Sequence, residues 1–403
     1  MKNFLKKHLG LIICLLCLIA FPNGLGVQAR LNMRIIVTGL AVDFDGENYT
    51  VTAQYVKTSQ GGKGTSGANV SFIDETDKTT KSAIAKLIYK SGKSAAFSHT
   101  NFIIIGKKVA ETRAVECLDY FVRNKIIDSS AMILISADKA SEDIKKTKDL
   151  ELSVATNMQK VFVYKQMESD AVMTTVIEFL KWSKINSGSV AVSEIVFDEK
   201  SENSESGTSG EGESVGQSSA GKKKEVFFKP KSPIVCFSNG KFALKLENTD
   251  EIDGFLILRG QSTRADILVE NLAPERLLDA KVGIKIKDKK EQSMVRYENE
   301  IPTLDVKIRI TNSEIIEIAG QTLIQEFSNE EFDEIKRGIE NEIKKKVSAM
   351  FEKAKLAKVD VLGAYDKAIK FNFKKTKKYY QSAEMFLEQL KLNVDVKVER
   401  LEY

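Results

Sequence analysis

Apolar residues along this chain recur with two different periods, and the switches between them mark out its elements. The first apolar stretch follows neither period. Leu9–Phe21 (LGLIICLLCLIAF) is continuous apart from Gly10, follows Lys2, Lys6 and Lys7, and ends at Pro22-Asn23-Gly24 with small residues at Val27-Gln28-Ala29. That is the layout of a secretory signal peptide over residues 1–29. The run is short of the roughly 20 apolar residues that a spanning helix needs. A retained membrane anchor is the alternative, and both readings put the rest of the chain outside the cytoplasm.

Period-two patterns come next. RIIVTGLAVDF leads to a turn at Asp45-Gly46, after which Tyr49, Val51, Ala53 and Tyr55 alternate with Thr50, Thr52 and Gln54. This predicts a hairpin over 33–57 whose second strand is half-buried. Residues 58–69 (TSQGGKGTSGAN) read as a mobile connector. They lack the spacing of a phosphate-binding loop, and no helix starts directly behind them. Ala83, Ile84, Leu87 and Ile88 share one face of a helix over 77–91 that Gly92 stops. A strand at Asn101–Gly106, an amphipathic helix at Val109–Arg123 and a strand at Ser130–Ser136 suggest a right-handed crossover between parallel neighbours. Helices follow over 139–146 and 150–183, and Val190–Phe197 reads as a strand closing the first half.

Residues 199–225 interrupt the pattern. They are rich in Ser, Gly and Glu, end in three lysines and carry almost no apolar side chains up to Lys224. Such a segment cannot bury enough surface to offset its ordering entropy, so disorder is expected. It serves either as a hinge, which would let its two sides move independently, or as an insertion in a loop of one domain. Beyond it, Val226–Phe228, Ile234–Phe237 and Phe242–Leu246 read as strands, the last two joined by the Asn239-Gly240 hairpin signal. A short helix at Glu251–Leu258 and strands at Ala265–Leu272, Ala280–Ile286, Leu304–Ile310 and Ile315–Ile318 follow. Ser328 with Glu331 makes a capping box. Behind it Phe332, Ile335, Ile339, Ile343, Val347, Met350 and Ala354 step along one face of a long helix. More helix covers 360–390, and Leu392–Val398 alternates as a final strand.

The pattern as a whole predicts an α+β protein. Two or three mixed domains carry largely antiparallel sheets flanked by helices, plus a long C-terminal helix. The expected division is a signal peptide at 1–29, an N-terminal domain at 30–198, a linker at 199–225 and a C-terminal domain at 226–403. A chain of 403 residues is long enough for such cores. Its net charge of +5 is small against 61 basic and 56 acidic side chains, which gives no electrostatic case for nucleic acid.

The search for chemistry is mostly negative. The sequence nominates no catalytic, cofactor-binding or metal-ligating residue, and it implies no cofactor. His99 is the one histidine beyond the leader and is expected to be a structural hydrogen-bonding residue at a strand entrance. There is no H-E-x-x-H, no nucleophile elbow and no C-x-x-C after residue 30. Cys117 and Cys236 lie in opposite halves, both in apolar stretches. Two free, buried thiols are expected, although an exported chain permits a bridge. Twelve lysines between Lys344 and Lys378 suit either an anionic membrane surface or a solvated helix face partly balanced by Glu340, Glu342 and Glu352. The bland reading is favoured.

The order of blocks resembles the C subunits of spore germinant receptors, the Ger(x)C family. The blocks that carry the resemblance are Arg34–Asp43 with the Val51–Val56 strand, Ser98–Gly106 (SHTNFIIIG), the SAMILIS strand, Val235–Leu246 (VCFSNGKFALKL), Gly254–Gly260 (GFLILRG), Val361-Leu362-Gly363 and Phe386–Val398. The resemblance implies a non-enzymatic, lipoprotein-like subunit on the outer face of the spore inner membrane. Its partners would be an A-type and a B-type membrane subunit and the membrane surface, and its work scaffolding or signal coupling in germination. The alternative from the residues alone is a solitary exported envelope-associated binding protein or hydrolase. The family's lipobox cysteine is missing near Val27–Arg30, and Cys14 and Cys17 sit in mid-run between bulky neighbours. Cleavage after Ala29 without a lipid is therefore expected, with a retained signal anchor as the alternative.

Overall fold

The computed structural model describes residues 34–58, 68–184, 189–200, 225–259, 262–270, 272, 280–319 and 327–403. The signal peptide expected at 1–29, most of the 58–69 connector and most of the 199–225 linker lie outside these residues.

The β-branched run at the start builds a hairpin from β1 (Arg34–Phe44) and β2 (Tyr49–Thr58), extended by β3 (Ala68–Asp77). After α1 (Thr80–Ser91) the short β4 (Ser94–Ala96) and then β5 (Phe102–Ile105) run parallel to β1. The expected helix at Val109–Arg123 is two: α2 (Lys107–Thr112) and α3 (Ala114–Arg123), broken at Arg113, whose φ of −137° is not helical. Next, β6 (Met132–Ile135) lies parallel to β5, as the crossover pattern predicts. The chain goes on through α4 (Ala140–Lys146), α5 (Leu152–Thr156), α6 (Met158–Met167), β7 (Thr174–Thr175) and α7 (Val176–Trp182). The resulting sheet has the order β3-β2-β1-β5-β6-β7.

Both faces of this sheet are covered. One packs Ile103, Ile105, Ile133 and Ile135 against α1, α3 and α7, and the other packs Phe102, Ile104, Met132 and Leu134 against α4 and α6. That is why β5 and β6 are continuous apolar runs. Double coverage also corrects the expected half-buried β2. Thr52 and Gln54 are fully buried. Gln54 Nε2 donates to Thr38 Oγ1 at 2.9 Å and to the Ala155 carbonyl at 2.8 Å, while its Oε1 accepts from Thr147 Oγ1 at 2.6 Å. At Gln54 the polar period records an internal hydrogen-bond network rather than a wet face, while the buried Thr52 hydroxyl finds no partner among the described residues.

Strand β8 (Ser189–Ser193) does not close the first half. It pairs antiparallel with β11 (Ile234–Ser238), while β9 (Phe197–Lys200) pairs with β10 (Glu225–Phe228). Sheets therefore cross the linker position in sequence. The β11 strand turns at Asn239 (φ 50°) and Gly240 (φ 74°), the left-handed pair a tight hairpin needs, into β12 (Lys241–Leu246). After α8 (Thr249–Arg259) comes β13 (Ala265–Val269), then a long hairpin of β14 (Lys281–Glu298) and β15 (Ile301–Ala319). The long helix α9 (Asn329–Leu356) lies on this sheet, opened by the predicted Ser328/Glu331 capping box. Its stripe, including Ile335, Ile339, Ile343, Val347 and Met350, is fully buried in the second core. Helices α10 (Ala364–Tyr379) and α11 (Ala383–Gln389) lead to β16 (Lys391–Val398), parallel to β15, and to β17 (Leu401–Glu402). Among the described residues no helix is long and apolar enough to cross a membrane.

Candidate functional site

The residues singled out in the sequence do not converge. His99 is exposed on the 3-10 turn Phe97–His99, and among the described residues its imidazole makes no hydrogen bond. The strand entrance is held by its neighbour instead: the Thr100 amide donates to the Phe97 carbonyl at 3.0 Å, and Thr100 Oγ1 to Val37. Cys117 and Cys236 are free and buried in different cores, as expected, and burial pushes each thiol up to about 12. They are inert small hydrophobes at neutral pH. Among the described residues no group of three His, Cys, Asp or Glu side chains could hold a metal ion.

The lysine-rich stretch divides into two populations. On α9 the lysines find acids of α8, far back in the chain. Lys346 Nζ is buried, 2.8 Å from Asp250 and 3.0 Å from Asp253. Lys353 meets Glu251 at 2.6 Å, and Lys231 also reaches Asp253. Burial works against the Lys346 ammonium, but its bonds to Asp250 and Asp253 raise its pKa overall. The same Lys346 bond leads in holding Asp250 below the usual carboxylate range. These pairs are possible because α8 crosses α9 at Gly254, where a Cβ would stand 2.2 Å from the Lys346 carbonyl. The reading of this part as a solvated face is thereby corrected: the acids of α8 balance it. On α10 the lysines from Lys370 onward are exposed, while Lys367 is half-buried.

Two concavities border this region. A groove of about 510 Å³ runs between the Asp250–Lys346 cluster and the sheet, with Asp266, Glu270, Leu268 and Ile316 on its wall. A second, of about 310 Å³, lies where the end of α8 meets β14, β15 and the start of α10. There Arg259, Glu291, Ser293 and Lys367 surround Leu258, Leu304 and Leu362. Desolvation raises the Glu291 pKa and lowers that of Lys367, and Lys367 Nζ is 2.7 Å from Ser293 Oγ. Apolar walls with a few opposed charges have the chemistry of a small polar-ligand site.

A third constellation stitches the halves together at the end of α6, where the sequence pattern shows only a helix. Lys165 Nζ donates to the Lys229 carbonyl at 2.8 Å and to Ser232 Oγ at 2.7 Å, and desolvation brings its pKa down to about 8. Glu168 takes Arg264 at 2.8 Å and Lys285 at 3.3 Å. Burial pushes the Glu168 carboxyl up, but bonds from those two cations hold it below its ordinary value. Ser169 Oγ bonds the Arg264 carbonyl, and Ser262 Oγ the Met167 carbonyl at 2.6 Å. These partners lie 64 to 117 positions away, so no local motif announces them.

This architecture has known counterparts. Residues 28–197 match the family described as "Spore germination protein N-terminal domain", and residues 234–401 match "Spore germination B3/ GerAC like, C-terminal". The chain belongs to the Ger(x)C family of spore germination proteins. Among solved structures the crystal structure of the GerBC protein shares its fold, with a TM-score of 0.51 at 14% identity over 90% of this chain and 96% of that one. No curated protein matches. Within this Ger(x)C chain, the blocks that carry the resemblance coincide with buried elements: Arg34–Asp43 is most of β1, Ser98–Gly106 contains β5, and Gly254–Gly260 begins at the glycine where α8 crosses α9. Germinant-receptor C subunits with these two domains act in spore germination.

Proposed function

We propose that this chain is a non-catalytic receptor subunit that couples or scaffolds an A-type and a B-type membrane subunit at the outer face of the spore inner membrane. The observation that carries the reading is the pair of family matches, N-terminal then C-terminal, in order along one chain. The stitched seam at Lys165 and Glu168 supports it as well. Two halves that share sheets and buried charges move as one body, which suits a part that transmits a displacement between partners. The chain reaches the membrane through its leader segment or through those partners.

Detergent extracts of spore inner membranes test this. With an affinity tag at the C-terminus, both membrane subunits are expected to co-purify with the chain, and deleting its gene is expected to abolish the response to one set of nutrients only. Recovery of the chain alone, with germination unchanged in its absence, would favour a solitary envelope protein instead.

A further inference from the structure

The second population of lysines sits on α10, whose outer surface differs from every other helix surface described above. The helix carries six lysines against one aspartate, Asp366. Lys370, Lys374, Lys375, Lys377 and Lys378 are all exposed, and among the described residues none of the five is ion-paired. Lys377 and Lys378 reach only tyrosine hydroxyls, of Tyr365 and Tyr379. Amid this charge stand two large aromatic rings in solvent: Phe371 is 73% exposed and Phe373 is 59% exposed.

Helical geometry alone would not produce this. Residues two apart on an α-helix point about 200° away from each other, so one ring of the pair would turn toward the sheet. The backbone breaks between them. Asn372 has φ −134° and ψ 38°, outside the helical region. Its side chain is spent holding the break in place, with Nδ2 donating to the Val295 carbonyl at 3.1 Å. Thr376 fixes the far side of the break, 2.6 Å from the Tyr297 hydroxyl and 2.9 Å from the Asn372 carbonyl. The inner face is thus anchored to β14 by Asn372 and Thr376, and both phenylalanines are delivered outward. Glu300 at the hairpin tip is the acid on a neighbouring element that lies close to Lys378. The surface stays strongly positive around the rings.

We propose that this outer face of α10 docks on an anionic lipid bilayer, with Phe371 and Phe373 entering the acyl boundary and the surrounding lysines on the headgroup phosphates. Aromatic side chains ringed by lysines are what an interfacial helix needs, because apolar burial and attraction to anionic headgroups add. Within the fold Phe371 carries the Lys370 ammonium 5.3 Å from its ring centroid but stays largely in solvent, and the positive charge around both rings calls for an anionic surface. Contact with lipid here needs no partner subunit, so it stands or falls separately from receptor assembly.

The test is local to the helix. The full-length chain carrying Trp182→Phe and Phe371→Trp has its one indole on α10. With vesicles of equal parts phosphatidylglycerol and phosphatidylcholine, its emission is expected to shift to the blue and to be quenched by lipids brominated on their acyl chains. Phe373→Trp in the same background is a second probe with the same expectation. Phosphatidylcholine alone should give neither effect. Adding Lys374→Gln and Lys375→Gln should raise the lipid needed by roughly fivefold per lysine. If both indoles stay in water on the anionic vesicles, the proposal is overturned. It is equally overturned if their emission responds only when the membrane subunits are present, since the face would then be a protein contact.

Discussion

Lys165 places its ammonium on a carbonyl and a hydroxyl, and among the described residues no carboxylate is in bonding distance. Its pKa is brought down to about 8 by desolvation, against roughly 10.4 in an unfolded chain. At pH values below about 8 both states are protonated there, and the native state bears the cost of the buried charge. Between about 8 and 10.4 the unfolded chain holds the extra proton, so stability from this site rises with pH. Denaturant titrations should therefore show the wild type gaining on Lys165→Met by on the order of 3 kcal/mol across that window. A difference that stays flat with pH would mean that Lys165 titrates as in water. Sequence does not disclose this residue: a lysine near the end of a helix looks solvated until the Lys229–Ser232 turn folds over it. Cys117 and Cys236 were legible, because their neighbours are apolar on the strand or helix period.

Elements with one buried face were read from the sequence, and those whose environment comes from elsewhere were not. The capping box and stripe of α9 are local, and they appear as predicted. Removing the cap with Ser328→Ala is expected to cost about 1 kcal/mol, read as a lowered midpoint in urea with an unchanged slope. An unchanged midpoint would assign the helix start to packing alone. The outer half of β14 offered no such pattern, since DKKEQSMVRYE neither alternates nor avoids charge. It is a strand because β15 supplies a ladder of backbone partners along its whole length, from Lys281 opposite Ala319 to Glu298 opposite Ile301. The β3 strand is hidden in the sequence for a similar reason, lying at the sheet edge with a charged end. The break at Arg113 is silent as well, because Val109, Ala114, Cys117 and Phe121 keep one buried face across it. On α10 the positive charge was legible, but the outward rings were not, since they depend on a backbone break that Asn372 secures with a distant strand.

At the scale of the whole molecule the two halves are joined by strands as well as by the seam. The composition of residues 199–225 suggested independent sides, yet β8 with β11 and β9 with β10 pair across that interval. A specific protease site inserted between residues 201 and 224 should give two fragments that still co-elute on size exclusion and part only in denaturant. Separate elution under native conditions would show that the paired strands do not hold. Both families of buried contacts contribute to this: Val190, Val192, Val235 and Phe237 belong to the first core, while Cys236 and Ile234 belong to the second.

That shared sheet also sets an order of events for a chain that emerges from its N-terminus onward. The β8 strand ends at Ser193 and its partner begins at Ile234, 41 positions later (234 − 193). When the first half emerges it has all its own helices but not its own completion: Val190 and Val192 face a core that Val235 and Phe237 have yet to fill. During that interval the edge of β8 is open to any passing strand. Completion of the first half is therefore a late event, closed by residues that arrive only after residues 199–225 have passed, and a chain interrupted within them would be left with that core unfilled.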